Sequence, residues 1–337
     1  MRLAHVWKTV LACCIAASCA APREEAVRGP VQNPNATLRY WTAERMKAAE
    51  TICVGSACID DKEPPPDVST PGGDENGNAQ VPAPYQDQRV SRLTGELFFR
   101  DTVRNVDAHC SASVVRSESR SLIVTAAHCV LVMVQEDPLP WASVLMFVPA
   151  YDGSRPATDP RYAPFGLWPI RRVYVPAILG ENPEWSAVPK WDISVISVFP
   201  KNGQRIEDVV GEGFSDQVTN NEVFPFANVI GYPGAENYSG GIQYWCASTT
   251  LAGGLGGITT PDCRTRPGHS GGPVLIPVDV NEEGEPALSG YEVVGVVHSV
   301  TINARLSPDT YPALVAMASA ETERSEEEEQ RARKGVR

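Results

Sequence analysis

Short apolar runs separated by polar turns fill the middle of the chain, from about residue 90 to 305. They fall at residues 111–115, Ser121–Thr125, Val144–Val148, Ile193–Val198, Val229–Ile230, Val274–Ile276 and Tyr291–Val297. Runs of this length and spacing predict an all-β sandwich or barrel. Arg116–Arg120 is a polar turn between the first two runs, and no internal repeat stands out. Before this span, Thr42–Thr51 reads as helical. Residues 60–88 hold Pro64-Pro65-Pro66, Pro71-Gly72-Gly73 and Asn76-Gly77-Asn78, a composition that cannot bury a core and reads as linker. After it, Leu314–Arg337 carries helix formers, with Glu326–Glu329 ahead of Arg331, Arg333 and Lys334. Acid before base suits the helix dipole, and the pattern predicts a solvated helix that frays.

Composition narrows the class. With 337 residues, 42% of them hydrophobic, the chain has room for one to two domains with a real core. Its 29 prolines and 27 glycines argue for many turns and few long helices. The formal charge of −12 excludes a basic phosphate-binding surface and so argues against nucleic acid as a partner.

The amino terminus reads as an export signal. Arg2 and Lys8 flank a short n-region, Thr9–Ala17 is apolar but too short to span a bilayer, and Ser18-Cys19-Ala20 ends in small residues. Cys19 after Ile15-Ala16-Ala17-Ser18 also offers a lipid-anchor reading, similar to a bacterial lipoprotein cleavage site. Cys13, Cys14 and Cys19 lie in this signal, which leaves six of the nine cysteines. An even set in an exported chain reads as disulfides. Proximity suggests Cys53–Cys58, Cys110–Cys129 and Cys246–Cys263, one of fifteen connectivities open to six cysteines.

Two segments carry candidate chemistry. Thr125-Ala126-Ala127-His128-Cys129 presents a histidine at the end of an apolar strand. Gly268-His269-Ser270-Gly271-Gly272-Pro273 presents a serine among glycines, where bare backbone N–H groups can face a reacting oxygen. A serine hydroxyl is a weak nucleophile until a base takes its proton, and histidine is the side chain best suited to that near neutral pH. Zinc is disfavoured at His109-Cys110 and His128-Cys129 by the absence of paired Cys-x-x-Cys spacing.

At these residues the chain resembles the trypsin/chymotrypsin-like serine proteases, over roughly residues 90 to 305. The resemblance implies two antiparallel six-stranded β-barrels with the site in the cleft between them, divided near residue 205, and here followed by a C-terminal helix. It implies Ser270 as nucleophile, His128 as general base and then acid, and the N–H groups of Gly268 and Ser270 as the oxyanion hole. Asp192, opening the alternating run Asp192–Val198 after Lys190-Trp191, matches the family's aspartate, which fixes the histidine tautomer. Cys110–Cys129 is the bridge the family places beside this histidine. The implied organisation is a signal at 1–20, a largely disordered pro-segment at 21–88, the protease domain at 89–317 and a charged tail at 318–337.

The chain departs from the digestive members at His269, where they carry the aspartate that pairs with a freshly cut amino terminus. In this respect it is similar to the bacterial glutamyl endopeptidases. Arg264, where trypsin-like members carry an acidic residue, argues against basic side chains before the cut bond. Thr265 and His298 match the hydroxyl and imidazole with which glutamyl endopeptidases meet a substrate carboxylate. Ser299–Thr301 is expected to pair with the substrate backbone as an added strand. The expectation is thus an exported, monomeric endopeptidase acting on protein or peptide, with no cofactor and no metal. One rival is a catalytically silent module of the same fold. The other is an esterase, disfavoured because the Gly-x-Ser-x-Gly elbow belongs to a fold in which histidine comes last.

Overall fold

The computed structural model describes residues 26–52, 70–132, 140–180, 188–235, 237–278 and 290–335. The expected export signal, Cys19 and the Cys53–Cys58 pairing lie outside the described residues. In chain order the leading elements are β1 (Ala26–Arg28), α1 (Pro34–Tyr40), α2 (Ala43–Lys47), β2 (Glu50–Thr51), β3 (Ala79–Gln80) and α3 (Arg89–Leu93).

Six strands then form a closed antiparallel barrel: β4 (Thr94–Asp101), β5 (Val106–Val115), β6 (Leu122–Thr125), β7 (Ser143–Pro149), β8 (Trp168–Pro176) and β9 (Ser194–Val198). The path β8-β7-β4-β5-β6-β9 returns on itself because β8 also pairs with β9. Every residue of β6 and of β9 is buried, which explains their apolar character. Leu97, Val114, Ile123, Phe147 and Val195 meet inside. Each fully buried aliphatic side chain contributes about 1.5–3 kcal/mol.

After α4 (Ile206–Val210), close to the expected boundary, the second sheet begins. It comprises β10 (Ser215–Asp216), β11 (Ala227–Gly231), β12 (Tyr244–Ser248), β13 (Leu251–Ala252), β14 (Gly257–Thr259), β15 (Pro273–Pro277), β16 (Tyr291–Val297) and β17 (Ile302–Arg305). Its main path is β13-β14-β17-β16-β15-β11-β12-β3, with β10 beside β16. Among the described residues no strand pairing closes this sheet into a ring. The halves are joined where Ser111 N–H donates to Ser270 O at 2.8 Å and Arg116 N–H donates to Phe214 O at 2.8 Å.

Two expectations give way. Residues 26–52 and 70–88 are folded onto the domain rather than disordered. β1 extends the barrel beside β8, β2 lies parallel to β5, and β3 adds an edge to the second sheet. Trp41 Nε1–H donates to Val144 O at 2.5 Å, and Asp107 accepts from the Tyr40 hydroxyl and pairs with Arg45. Composition misled here because the apolar surface these segments cover belongs to the barrel, not to themselves.

The tail, too, is docked. α5 (Tyr311–Gly335) packs Tyr311, Leu314 and Ala318 into the main core. Ion pairs join Glu321 to Arg28 and Arg172, Glu326 to Arg205, and Glu329 to Arg171. Its acidic residues face arginines far away in sequence, on β1, on β8 and at the start of α4, which a local charge pattern does not reveal. No helix among the described residues is long and apolar enough to cross a membrane.

Candidate active site

Strand register brings the first two site residues together. β6 and β9 are antiparallel, with Thr125 opposite Ser194. The chain leaving β6 therefore meets the chain entering β9. His128 sits three residues past Thr125, in the turn Ala127–Cys129, and Asp192 two residues before Ser194. Both side chains are buried. His128 N–H donates to Asp192 Oδ1 at 2.8 Å, and His128 Nδ1 lies 2.7 Å from Asp192 Oδ2. The carboxylate thus grips both the main chain and the ring of the histidine, which leaves Nε2 as the nitrogen able to move a proton.

His298 joins them. Its Nδ1 lies 2.5 Å from the same Asp192 Oδ2. Burial alone would push the Asp192 carboxyl upward, but the two imidazoles outweigh it and hold the group well below the usual carboxylate range. His298 was expected to meet a substrate carboxylate; the geometry ties one of its nitrogens to Asp192 and leaves Nε2 for any further contact.

The serine arrives on the turn before β15. Gly271 N–H donates to Val297 O and Val297 N–H to Gly272 O, both at 2.9 Å, which anchors the turn to the strand end that leads into His298. Gly271 has φ of +77°, and a Cβ on it would lie 1.9 Å from Thr125 Oγ1 and 2.8 Å from Ala126 N. Only glycine allows Ser270 this close to the His128 segment. His128 Nε2 is buried and makes no hydrogen bond among the described residues. Catalytic hydrogen bonds commonly close only with substrate in place.

Gly268 has φ of +99°, and a Cβ there would lie 2.4 Å from Tyr232 O. Pro267 O accepts from Gly234 N–H at 3.0 Å. In a trans peptide the carbonyl and the following N–H point opposite ways, so this bond turns Gly268 N–H away from Gly234. Neither Gly268 N–H nor Ser270 N–H donates within the described residues. Ser111, absent from the expected site, braces the turn: its hydroxyl donates to Gly268 O at 2.8 Å and accepts from Tyr232 N–H at 2.9 Å.

His269 is fully buried, and burial pushes its pKa down to about 4. Its Nδ1 accepts from Arg266 N–H at 3.0 Å, which requires that nitrogen to be unprotonated. A neutral ring clamping its own turn stands where an ion pair was not expected.

Thr265 and Ser299 are also brought together. Thr265 N–H donates to Val300 O at 2.7 Å, and its hydroxyl lies 3.1 Å from Ser299 O and 3.0 Å from Val300 O. Ser299 N–H donates to Ile302 O, so of the expected substrate-pairing stretch only the N–H groups of Val300 and Thr301 lack a donor bond among the described residues. Arg264 is buried rather than solvent-facing.

The reputed linker supplies the brace for this wall. Asn76 O accepts from Arg264 N–H, Asn78 Nδ2–H donates to Arg264 O at 3.0 Å, and Arg266 Nη2 reaches Asn76 Oδ1 at 2.6 Å. Gly77, at φ +80°, would place a Cβ 2.3 Å from Asp262 O. The Asn-Gly-Asn triplet was the available signal, a tight turn rather than a flexible one.

Cys110–Cys129 and Cys246–Cys263 are both bonded, and the first ties β5 to the His128 turn. Those cysteines accordingly offer no thiolate to a metal beside His128, and the nearest nitrogens of His128 and His298 are directed at Asp192.

The sequence matches no protein-family model and no curated protein. Solved structures do match. A protease from Arthrobacter nicotinovorans named Anisep aligns with 71% of this chain and 99% of its own, at 23% identity and a TM-score of 0.52. A thermostable serine protease from an extremophilic microorganism aligns with 69% of this chain and 99% of its own, at 20% identity and 0.52. A Glu endopeptidase, solved with MPD, aligns with 73% and 97%, at 17% identity and 0.51. The chain therefore has the chymotrypsin-like fold of these serine proteases, and about three tenths of it lies outside the aligned part.

Proposed function

We propose that this protein is a serine endopeptidase. The observation that supports the reading is the conjunction of a buried Asp192–His128 pair with a glycine-framed turn, carrying Ser270, whose Gly271 packs against Thr125 and Ala126 at the start of the His128 segment. Ser270 Oγ attacks the peptide carbonyl while His128 Nε2 takes its proton. The oxyanion forms against Gly268 N–H and Ser270 N–H, where each donor is worth roughly 3 kcal/mol in the transition state. His128 then protonates the departing amine, and water hydrolyses the acyl-enzyme by the reverse roles. Asp192 stays ionised throughout and stabilises the imidazolium.

The acyl-side pocket is proposed to favour glutamate. His298 Nε2 and the positive charge of Arg264 favour an acidic side chain, and a Glu endopeptidase is among the structures of the same fold. Export of the chain, by a signal at residues 1–20, agrees with the two disulfides among the described residues.

The test is a set of peptides that vary only the residue before the cut bond, incubated with the protein and with Ser270→Ala. Ser270-dependent cleavage after glutamate supports both parts. Cleavage after another residue keeps the protease and removes the acidic pocket. The unpartnered His128 Nε2 gives the silent module its one point of support; absence of both cleavage and fluorophosphonate labelling at Ser270 would establish it.

A further inference from the structure

Outside the catalytic cluster, the described residues contain a second polar centre. Glu96 on β4 and His109 on β5 are both buried, and they are diagonal neighbours on one face of the sheet, Glu96 lying opposite Ser111 and His109 opposite Phe98. His109 Nδ1 lies 2.8 Å from Glu96 Oε1, yet the two atoms are out of line for a hydrogen bond. Glu96 Oε2 has no hydrogen-bond partner at all among the described residues. The nearby hydroxyls do not serve it: Tyr151 donates to Tyr162, and Tyr162 to Met46.

This carboxylate lines a cavity of about 260 Å³, together with His109, Tyr151, Ser239 and Gly241. Lys47 of α2 stands at its rim, exposed and outside any ion pair among the described residues. The cavity borders the oxyanion turn: His109 Cε1 would be 3.0 Å from a Cβ on Gly268. Thr265, three residues before Gly268, is bonded to Ser299 and Val300, which the protease reading makes the acyl-side wall. On that reading a peptide whose carbonyl sits at Gly268 and Ser270 runs its leaving side toward His109 and the cavity.

We propose that this cavity is a leaving-side subsite for a basic side chain, with Glu96 as its specificity-determining residue. The inference rests on the protease reading for its biological meaning, but the binding site itself does not need catalysis. A buried carboxylate oxygen with no donor is costly, and a guanidinium or ammonium supplies the donor that Glu96 Oε2 lacks. Arginine fits best, because its fork of donors can reach Glu96 Oε2 and a neighbouring acceptor at once. Gly241 keeps the space open, since a Cβ there would lie 3.0 Å from Gly153 Cα.

The test is calorimetric binding of arginine amide, alanine amide and glutamate amide to the full chain carrying Ser270→Ala. Arginine amide is expected to bind at least tenfold more tightly than the other two, and Glu96→Gln to remove that preference. Should Glu96→Gln fail to fold, Ser239→Arg, at an exposed position, fills the cavity with its own cation and removes the preference without touching the core. The same amides, used to intercept the acyl-enzyme of the active protein, should show the same order. Binding of arginine amide without any acyl-enzyme would retain the subsite and overturn the protease reading. Equal binding of all three amides, or a preference that survives Ser239→Arg, overturns the subsite.

Discussion

His298 Nδ1 lies 2.5 Å from Asp192 Oδ2, the same oxygen that meets His128 Nδ1. A residue expected to read the substrate is thereby also a brace for the aspartate. Replacing His298 by alanine removes one hydrogen bond to a buried charged group, a loss of about 1.5–3 kcal/mol, or roughly tenfold to a hundredfold in rate. Steady-state kinetics with two substrates separates the roles. A fall in kcat shared by both substrates marks positioning of Asp192; a rise in KM confined to a glutamate substrate marks contact with the side chain.

Asp192→Asn should leave the strands in place but favour the wrong histidine tautomer, lowering kcat by about 10⁴-fold. Active-site titration must still show Ser270 present and the far-ultraviolet spectrum unchanged. A fall of less than tenfold would remove Asp192 from the mechanism.

His269 carries an acid-sensitivity prediction. Its folded pKa is depressed to about 4, so the unfolded chain binds the proton first as pH falls. The stability it secures is complete above the unfolded value near 6.5 and declines as pH drops from there toward 4, by roughly 3 kcal/mol. Urea denaturation at pH 7.5 and 4.5 should show a larger acid loss for the native protein than for His269→Asn, whose amide oxygen can accept from Arg266 N–H without titrating.

Gly77→Ala tests the brace behind the acyl-side wall. A Cβ 2.3 Å from Asp262 O, at φ +80°, forces the Asn76–Asn78 turn away from Arg264. The expected result is a loss of about 2 kcal/mol of stability, in line with strained positive-φ positions, together with a higher KM. An unchanged KM would mean that residues 74–78 do not shape the pocket.

Cys110 and Cys129 close a loop 19 residues apart in sequence. Replacing both by alanine should cost about 3 kcal/mol by the loop-entropy relation, read as a lower thermal midpoint, and should lower kcat because the His128 turn is released. A variant with native stability and reduced kcat would assign the bridge to positioning alone.

The sequence by itself determined the strand-rich centre, and it singled out the His128 and Ser270 segments and the aspartate that opens Asp192–Val198 as candidates. These are local signals: apolar runs of strand length, and glycines whose backbone angles only glycine adopts. It also paired Cys110 with Cys129 and Cys246 with Cys263. What only the tertiary structure decided are relations between distant segments. The antiparallel register of Thr125 with Ser194 sets His128 against Asp192. The path of β16 carries His298 to that carboxylate, and Ser111 reaches across from the first barrel to hold Gly268 O. Residues 26–52 and 70–88 have too little apolar surface to fold alone, yet they order by covering the barrel and the second sheet, and α5 docks through ion pairs with strand arginines. Composition reports what a segment can bury of its own; it is blind to what another segment offers it.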